Sequence, residues 1–292
     1  MSWLILSLVS AFCISIRQVQ EKRLLGEGFD PHFLLWLASL CTVLILSPFA
    51  YFSEAPQFGA RFWLTLAVSS LANTLATLLG LRALNYSDIS KTVPMLAFTP
   101  AFLLLTGHFI LGEFPERQGV LGVLLIVSGA YLLNVDDFRK SWFAPIAALF
   151  REKGPPLMLL AAFMLSICAS ADKIGTRFSS PWFWGWATQL CILLMLTPVI
   201  LRKQAYLING RFGDHYKRLL AIGFLAAISV VTGLYAITLS LVTYMIAIKR
   251  SSMLMTVALG HYFLQEQGVR ERLLGTATML VGIVLIALRG TA

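Results

Sequence analysis

Charged residues are scarce in this chain. Asp, Glu, Lys and Arg make up only 13% of its 292 residues, whereas hydrophobic residues make up 58%. A soluble domain carries roughly 25% charged residues, so too few charges are present to cover a water-facing surface of this size. The shortage predicts a chain that lies mostly in lipid, and it argues against a soluble enzyme.

Motifs for catalysis and for metal or nucleic-acid binding are missing as well. The sequence has no GxSxG, HExxH or glycine-rich phosphate loop, the patterns of common hydrolases, zinc proteases and nucleotide-binding proteins. Its net charge of +9 comes without a basic helix or an aromatic RNA-binding motif, so nucleic acid is not an expected partner. Without a CxxC pair, the cysteines lie singly in apolar segments, at Cys13, Cys41, Cys168 and Cys191. We therefore expect no catalysis, no metal site and no cofactor.

What the chain does have is a series of ten apolar runs, each close to the roughly 20 residues that cross a bilayer as a helix. The runs lie near residues 2–19, 32–52, 62–82, 89–111, 118–135, 156–175, 182–201, 219–240, 242–264 and 272–288. The longest polar connection, 136–155, lies in the middle of the chain and is expected to link two units, 1–135 and 156–292. The predicted fold class is an all-α membrane protein with ten transmembrane helices.

The two halves are related in sequence. At an offset of 153, the segment GHFILGE at 107–113 falls on GHYFLQE at 260–266, and Gly80 falls on Gly233. Each half has five spans, an odd number, so the second half enters the membrane from the opposite side to the first. This predicts two inverted five-helix repeats, an architecture that exposes a central site alternately to the two faces of a membrane.

Lys and Arg are spread unevenly over the connections between the spans. The side that holds the termini carries four of them, and the other side at least thirteen, many of them between Arg202 and Arg218. Because basic residues gather in cytoplasmic loops, the charge distribution predicts that both termini lie outside the cytoplasm, in a multi-pass protein of the cell (inner) membrane.

A short turn followed by a glycine-containing helix occurs once in each half. The first copy is LGE at 111–113 followed by Arg117, and the second is LQE at 264–266 followed by Arg270. Together with the FTPAF segment at 98–102, this pattern resembles the EamA-type domain of the drug/metabolite transporter superfamily. The resemblance covers nearly the whole chain and implies a ten-helix inverted-repeat carrier of small metabolites. It also implies cytoplasmic termini, opposite to the orientation that the loop charges predict.

Two adjacent cations, Lys249 and Arg250, lie inside the ninth span. At 1.5 Å per residue they are roughly 10 to 12 Å from the start of the helix, too deep for both to reach the headgroups. A charge at such a depth is costly unless it is paired or faces water. The pair is similar to the basic pair on the corresponding helix of the plastid triose-phosphate translocators and related nucleotide-sugar carriers, which implies binding of a substrate anion. The structural alternative is pairing with a neighbouring acid or with helix carbonyls.

Three further residues are candidates for substrate binding, namely Lys91, Asn73 and Tyr235. Lys91 begins the fourth span, where it also fits a position that reaches the headgroups or pairs with Asp88. Asn73 in the third span and Tyr235 in the eighth can donate or accept hydrogen bonds, but polar residues in membranes also hold helices together. Substrate binding and helix packing therefore both stay open for these residues.

The remaining intramembrane charges favour structural roles. Glu113 is expected to fix a turn by pairing with Arg117, as its repeat counterpart would with Arg270. Arg17 and the Asp172-Lys173 pair are expected near the ends of the first and sixth spans, where they neutralise charge near the headgroups.

The sequence therefore predicts a transporter that moves a small, anionic metabolite across a bilayer. A flippase for a lipid-linked substrate on the same fold is the main alternative, because relatives in the resembled superfamily handle such cargo. A scaffold or receptor without transport is a third possibility, against which a cation pair without a matching intramembrane acid argues. The expected partners are the small-molecule substrate and the lipid bilayer, and no pattern indicates an oligomeric state.

Overall fold

The computed structural model describes residues 2–54, 56–88, 92–132, 152–202 and 212–252, with single residues between 255 and 285. The described elements are all helical, and no strand occurs among them. In chain order they are α1 Ser2–Gly26, α2 Pro31–Tyr51, α3 Ala60–Tyr86, a 3₁₀ segment Val93–Phe98, α4 Thr99–Leu111, α5 Arg117–Leu132, α6 Gly154–Phe178, α7 Pro181–Arg202, α8 Phe212–Leu239 and α9 Val242–Lys249.

Six of these helices are long and apolar enough to cross a membrane, judged by length and composition. They are α1, α2, α3, α6, α7 and the part of α8 from His215, and shorter apolar helices occur at Met95–Leu111 and Arg117–Gly129. This content of apolar helix is that of a multi-pass membrane protein. The predicted span 242–264 is described only in part, and the predicted span 272–288 falls largely outside the described residues.

The predicted fourth span, 89–111, is interrupted near Thr99, where the 3₁₀ segment meets α4. Pro100 has no backbone N–H, so it cannot donate to the carbonyl of Leu96 four residues earlier. The Thr99 hydroxyl donates to that carbonyl instead, at 2.7 Å. The proline therefore explains why one apolar run contains two kinds of helix.

Local sequence signals fix several helix ends. Asp30 caps α2 by accepting a hydrogen bond from the backbone of His32 at 2.7 Å, and Pro31 occupies the first turn, where no N–H is needed. After α4, Gly112 adopts a left-handed conformation with φ of 69° and donates to the carbonyl of His108. Glycine reaches this conformation without a steric penalty, so the chain turns sharply there.

The helices of the first half pack against helices of the second. The closest pairings are α3 with α6, α1 with α8, and α2 with α7, followed by α2 with α8 and α4 with α6. Small polar residues allow two helix backbones to come close in these pairs. Between α1 and α8, for example, the Ser10 hydroxyl donates to the Ser229 carbonyl at 2.9 Å.

The two ends of the bundle are held by different contacts. At one end, called the Glu113 end, the Glu113 carboxylate pairs with the Lys173 ammonium group at 2.7 Å. At the other, called the Lys22 end, the Lys22 ammonium group donates to the Ser87 carbonyl at 2.9 Å. Gly154, the first residue of α6, packs against Ser87, whereas Lys173 lies near the last turn of α6. The two sets of contacts are therefore at opposite ends of α6.

Candidate functional site

The helices enclose a central cavity of about 210 Å³. Its lining comes from α1, α2, α3, α6, α7, α8 and α9, with Leu96 from the 3₁₀ segment, so both halves of the chain contribute. On α1 the lining begins at Ile14 and on α3 at Asn73, which leaves out the parts of both helices nearest the Glu113 end. On α8, by contrast, the lining runs from Ala226 to Ile237 and leaves out the part nearest the Lys22 end, where Arg218 pairs with Glu27. The cavity therefore lies between the two ends.

Lys249 and Arg250 both line this cavity, at the end of α9. The Lys249 ammonium group lies over Gly233 of α8, where a Cβ atom would come within 3.0 Å of its Nζ. Arg250 is only 5% exposed, and its Nε atom has no hydrogen-bond partner among the described residues. Within that part of the chain, neither side chain makes a hydrogen bond or an ion pair. Two cations thus face a cavity, and no described residue neutralises either one by direct contact.

Asp172 also lines the cavity, on α6. Its Oδ1 atom accepts hydrogen bonds from Ser69 of α3 and from Trp184 Nε1 of α7, the latter at 2.9 Å, and its Oδ2 atom accepts one from the Cys168 thiol at 3.5 Å. Asp172 is therefore held by uncharged donors and does not neutralise Lys173 as expected, since Lys173 pairs with Glu113. Its neighbour Lys173 points elsewhere, since successive helical residues diverge by about 100°.

A second acid in the cavity lies on α1. Glu21 is buried and pairs with Arg17 one turn away, with 3.4 Å between Arg17 Nε and Glu21 Oε1, and both residues line the cavity. The charge that Arg17 neutralises is thus that of Glu21, and its expected place near the headgroups stays a prediction. The described charges around the cavity are thus three cations, Arg17, Lys249 and Arg250, and two acids, Glu21 and Asp172.

The other predicted binding residues are distributed differently. Asn73 lines the cavity with Lys249 and Arg250. Tyr235 instead packs edge-on against Trp182, with 5.7 Å between ring centroids. Lys91 lies outside the described residues. The structure thus brings three of the five predicted residues to one cavity.

Glu113 does not pair with Arg117, as the sequence suggested. Its carboxylate contacts Lys173 at 2.7 Å and Arg177 at 3.8 Å, and it accepts from the Val242 backbone N–H at 3.4 Å. A carboxylate at the end of α4 therefore joins α6 and the start of α9, while Arg117 is exposed.

Sequence reasoning missed both cavity acids, although a signal for them exists. Glu21-Lys22 and Asp172-Lys173 are acid–lysine pairs at an offset of 151, close to the repeat offset of 153. Lys22 donates to the carbonyl of Ser87. Lys173 donates in the same way, at 2.7 Å, to the carbonyl of Ser240, which is the repeat counterpart of Ser87. The repeat therefore marks both acids as equivalent positions.

Comparisons with known proteins point to one family. The model of the EamA-like transporter family matches residues 1–135 and 152–288. The probable 4-amino-4-deoxy-L-arabinose-phosphoundecaprenol flippase subunit ArnE of Pseudomonas fluorescens is 35% identical over 82 residues, which are 28% of this chain and 70% of that protein. A solved crystal structure matches with a TM-score of 0.66 and 14% identity, over 98% of this chain and 99% of its own. At that identity the match shows the fold alone.

Proposed function

The chain belongs to the EamA-like transporter family, and on that premise we propose that it carries a small anionic metabolite across the cell membrane by alternating access. The proposed architecture is ten transmembrane helices in two inverted five-helix repeats, residues 1–135 and 156–292. The proposed binding residues are Lys249, Arg250 and Asn73.

The packing of the helices supports the inverted repeat. The first helix of each half packs against the third helix of the other half, as α1 with α8 and α6 with α3, and the two second helices, α2 and α7, pack against each other. Exchanging the halves therefore leaves these pairings unchanged. Lys22 and Lys173, which are equivalent residues, make the same kind of carbonyl contact at opposite ends of the bundle, as expected for repeats of opposite orientation.

The observation that carries the anion proposal is the pair of unneutralised cations at the cavity. Lys249 and Arg250 line it without a hydrogen bond or ion pair to any residue in the described part of the chain. Asp172 supplies one negative charge in the same cavity, so one positive charge is left without a counter-charge among the described lining residues. Burying such a charge costs several kcal/mol. An anionic substrate group between Lys249 and Arg250 would remove that cost, so the cavity is expected to bind an anion.

The test compares the binding of charged and neutral probes to the purified protein. We expect dimethyl phosphate and butyrate to raise its thermal midpoint at constant ionic strength, whereas neutral trimethyl phosphate and butyramide do not. Lys249→Gln should weaken anion binding about tenfold to a hundredfold, because a charge-assisted hydrogen bond contributes roughly 1.5 to 3 kcal/mol.

Lys217→Gln is the matched control, since it removes one positive charge from an exposed position on α8. It should leave anion affinity unchanged. If Lys249→Gln lowers the thermal midpoint but binds the anions as tightly as the wild type, then Lys249 has a structural role and the anion site is wrong.

A flippase is the second candidate, and the similarity to the ArnE flippase subunit favours it. The lipid named for that protein joins a sugar to undecaprenol through phosphate, and such a group is also an anion. A phosphodiester lipid with a long isoprenoid chain should then bind far more tightly than dimethyl phosphate, and Lys249→Gln should weaken both. Equal affinity for the two probes favours the metabolite carrier. If no probe binds, a scaffold is favoured.

A further inference from the structure

We propose that Asp172 makes the central cavity selective for substrates that carry a single negative charge. The inference rests on the proposed anion site and deepens it by naming the charge of the ligand. Asp172 is then a specificity-determining residue, which disfavours a second negative charge near Lys249.

The first step is that Asp172 is held as a hydrogen-bond acceptor. Trp184 Nε1 can only donate, and it donates to Oδ1 at 2.9 Å, the atom that also accepts from Ser69. These donors come from α7 and α3, so two neighbouring helices fix the carboxylate in place. Three donors, counting the Cys168 thiol, form the arrangement that stabilises a carboxylate.

The second step is that Asp172 and Lys249 share the cavity and interact electrostatically without direct contact. Both line it, and their opposite charges attract each other, but no ion pair within 4.0 Å joins them in the described part of the chain. Space for a ligand group therefore exists beside Lys249, and a ligand bound there experiences the negative charge of Asp172 as well.

The third step is the balance of charge around the cavity. Arg17 and Glu21 pair with each other, which leaves Lys249 and Arg250 against Asp172, a net charge of +1 among the described lining residues. The attraction of a ligand to fixed charges grows in proportion to its charge, whereas the cost of removing it from water grows with the square of its charge. One negative charge therefore balances the cavity, and a second adds more desolvation cost than attraction.

The experiment uses probes that differ in charge but share a chemical group. Trimethyl, dimethyl and methyl phosphate carry none, one and two charges at about pH 8, since the second ionisation of a phosphate monoester occurs at about pH 6. Butyramide, butyrate and succinate form a parallel series. Affinities are measured on the full-length purified protein from the shift of its thermal midpoint at constant ionic strength.

In the wild type, the monoanion of each series should bind about tenfold more tightly than the dianion. Asp172→Asn keeps the shape and the acceptor oxygen but adds one unit to the net charge of the cavity. Because a dianion gains twice as much attraction from that change, the ratio of dianion to monoanion affinity should rise about tenfold. Ser69→Ala disturbs the same cluster but keeps the Asp172 charge, so the ratio should stay as in the wild type.

The outcomes separate this inference from the proposed function. Lys249→Gln with normal affinity for all anions overturns the anion site itself. Weaker binding by Lys249→Gln together with an unchanged ratio in Asp172→Asn overturns only the role of Asp172. Should Asp172→Asn not fold, the wild type still decides, because tighter binding of dianions than of monoanions contradicts the proposal.

Discussion

Gly233 sets the position of the Lys249 ammonium group, because it leaves open the space that a side chain would fill. A Cβ atom built at Gly233 lies 3.0 Å from Lys249 Nζ and 3.5 Å from Ser10 Oγ. Gly80, the repeat counterpart of Gly233, also lines the cavity, but its Cβ atom would lie 3.7 Å from the Met158 sulfur, an ordinary contact. The two glycines thus form a matched pair.

Gly233→Ala should weaken binding of dimethyl phosphate on the order of threefold to tenfold, because the added methyl displaces the ammonium group and hydrogen bonds to charged groups depend steeply on distance. Its thermal midpoint should not fall, since alanine favours a helix over glycine by about 1 kcal/mol. Gly80→Ala should show the same stability with wild-type affinity. If Gly233→Ala binds dimethyl phosphate as tightly as Gly80→Ala does, then the Lys249 ammonium group moves aside without loss of anion affinity.

At the residue scale, the sequence identified the cations but not the acids. Lys249 is conspicuous as a charge inside an apolar run, whereas Glu21 lies in a polar stretch that the predicted span 2–19 excludes. In the structure α1 continues to Gly26, seven residues further, or about 10 Å. Glu21 is therefore buried beside the cavity instead of exposed at a helix end. Apolar runs underestimate a helix wherever one of its faces is polar because it lines a cavity.

Among the elements, α4, α6 and the start of α9 are joined at the Glu113 end. Glu113 and Lys173 are both mostly buried and belong to different halves, and Lys173 also donates to the Ser240 carbonyl. At the Lys22 end, the Lys22 ammonium group donates to the carbonyls of Leu84 and Ser87, both from its own half, and Glu266, the repeat counterpart of Glu113, lies outside the described residues. An ion pair between the two halves therefore holds the Glu113 end together.

Glu113→Gln should therefore ease opening at the Glu113 end. A cysteine at Thr77 in the cavity lining, with the four native cysteines replaced, reports access from one side of the membrane. Its labelling by an impermeant thiol reagent should accelerate about tenfold in Glu113→Gln, which corresponds to loss of about 1.4 kcal/mol from the closed state. The faster labelling should occur in only one of two preparations, intact cells or inside-out vesicles.

Arg117→Gln is the control, because the sequence suggested Arg117 as the partner of Glu113 and the structure gives that role to Lys173. If labelling is faster in Arg117→Gln but not in Glu113→Gln, the sequence-based pairing of Glu113 with Arg117 is right and the structure is contradicted. The mistaken pairing has a simple cause. Short spacing along the chain favoured Arg117, and the contact with Lys173 joins residues that only the packing of α4 on α6 brings together.

For the molecule as a whole, the family and the helical membrane fold were predictable from the sequence, since the apolar runs and the repeated turn carry them. The resemblance to the EamA family is confirmed. The cavity was not predictable, because its lining is assembled from α1, α3, α6 and α9, which are distant in sequence. The inverted arrangement of ten helices and the division at 136–155 stay predictions.

Orientation is the remaining property of the whole molecule, and the loop charges and the family resemblance disagree about it. Contacts gather the connections rich in basic residues at the Lys22 end, where Arg218 at the start of α8 pairs with Glu27 after α1 at 2.8 Å. Because basic residues favour the cytoplasmic side, we predict that the Lys22 end faces the cytoplasm.

Two single cysteines test this prediction in a background without native cysteines. Gln57 lies in the connection after α2, where its backbone donates to Phe178 beside the Glu113 end, and Asn209 lies in the segment 203–211, outside the described residues. In intact cells an impermeant thiol reagent should label Gln57→Cys at once and Asn209→Cys only after permeabilisation. The reverse pattern would mean that the termini are cytoplasmic, as the resemblance implies. Basic residues in short loops favour the cytoplasmic side during membrane insertion. In the predicted orientation, adding two lysines beside Gln57 should therefore reduce the labelled fraction of Gln57→Cys. In the reversed orientation, the same two lysines should leave the orientation unchanged or strengthen it.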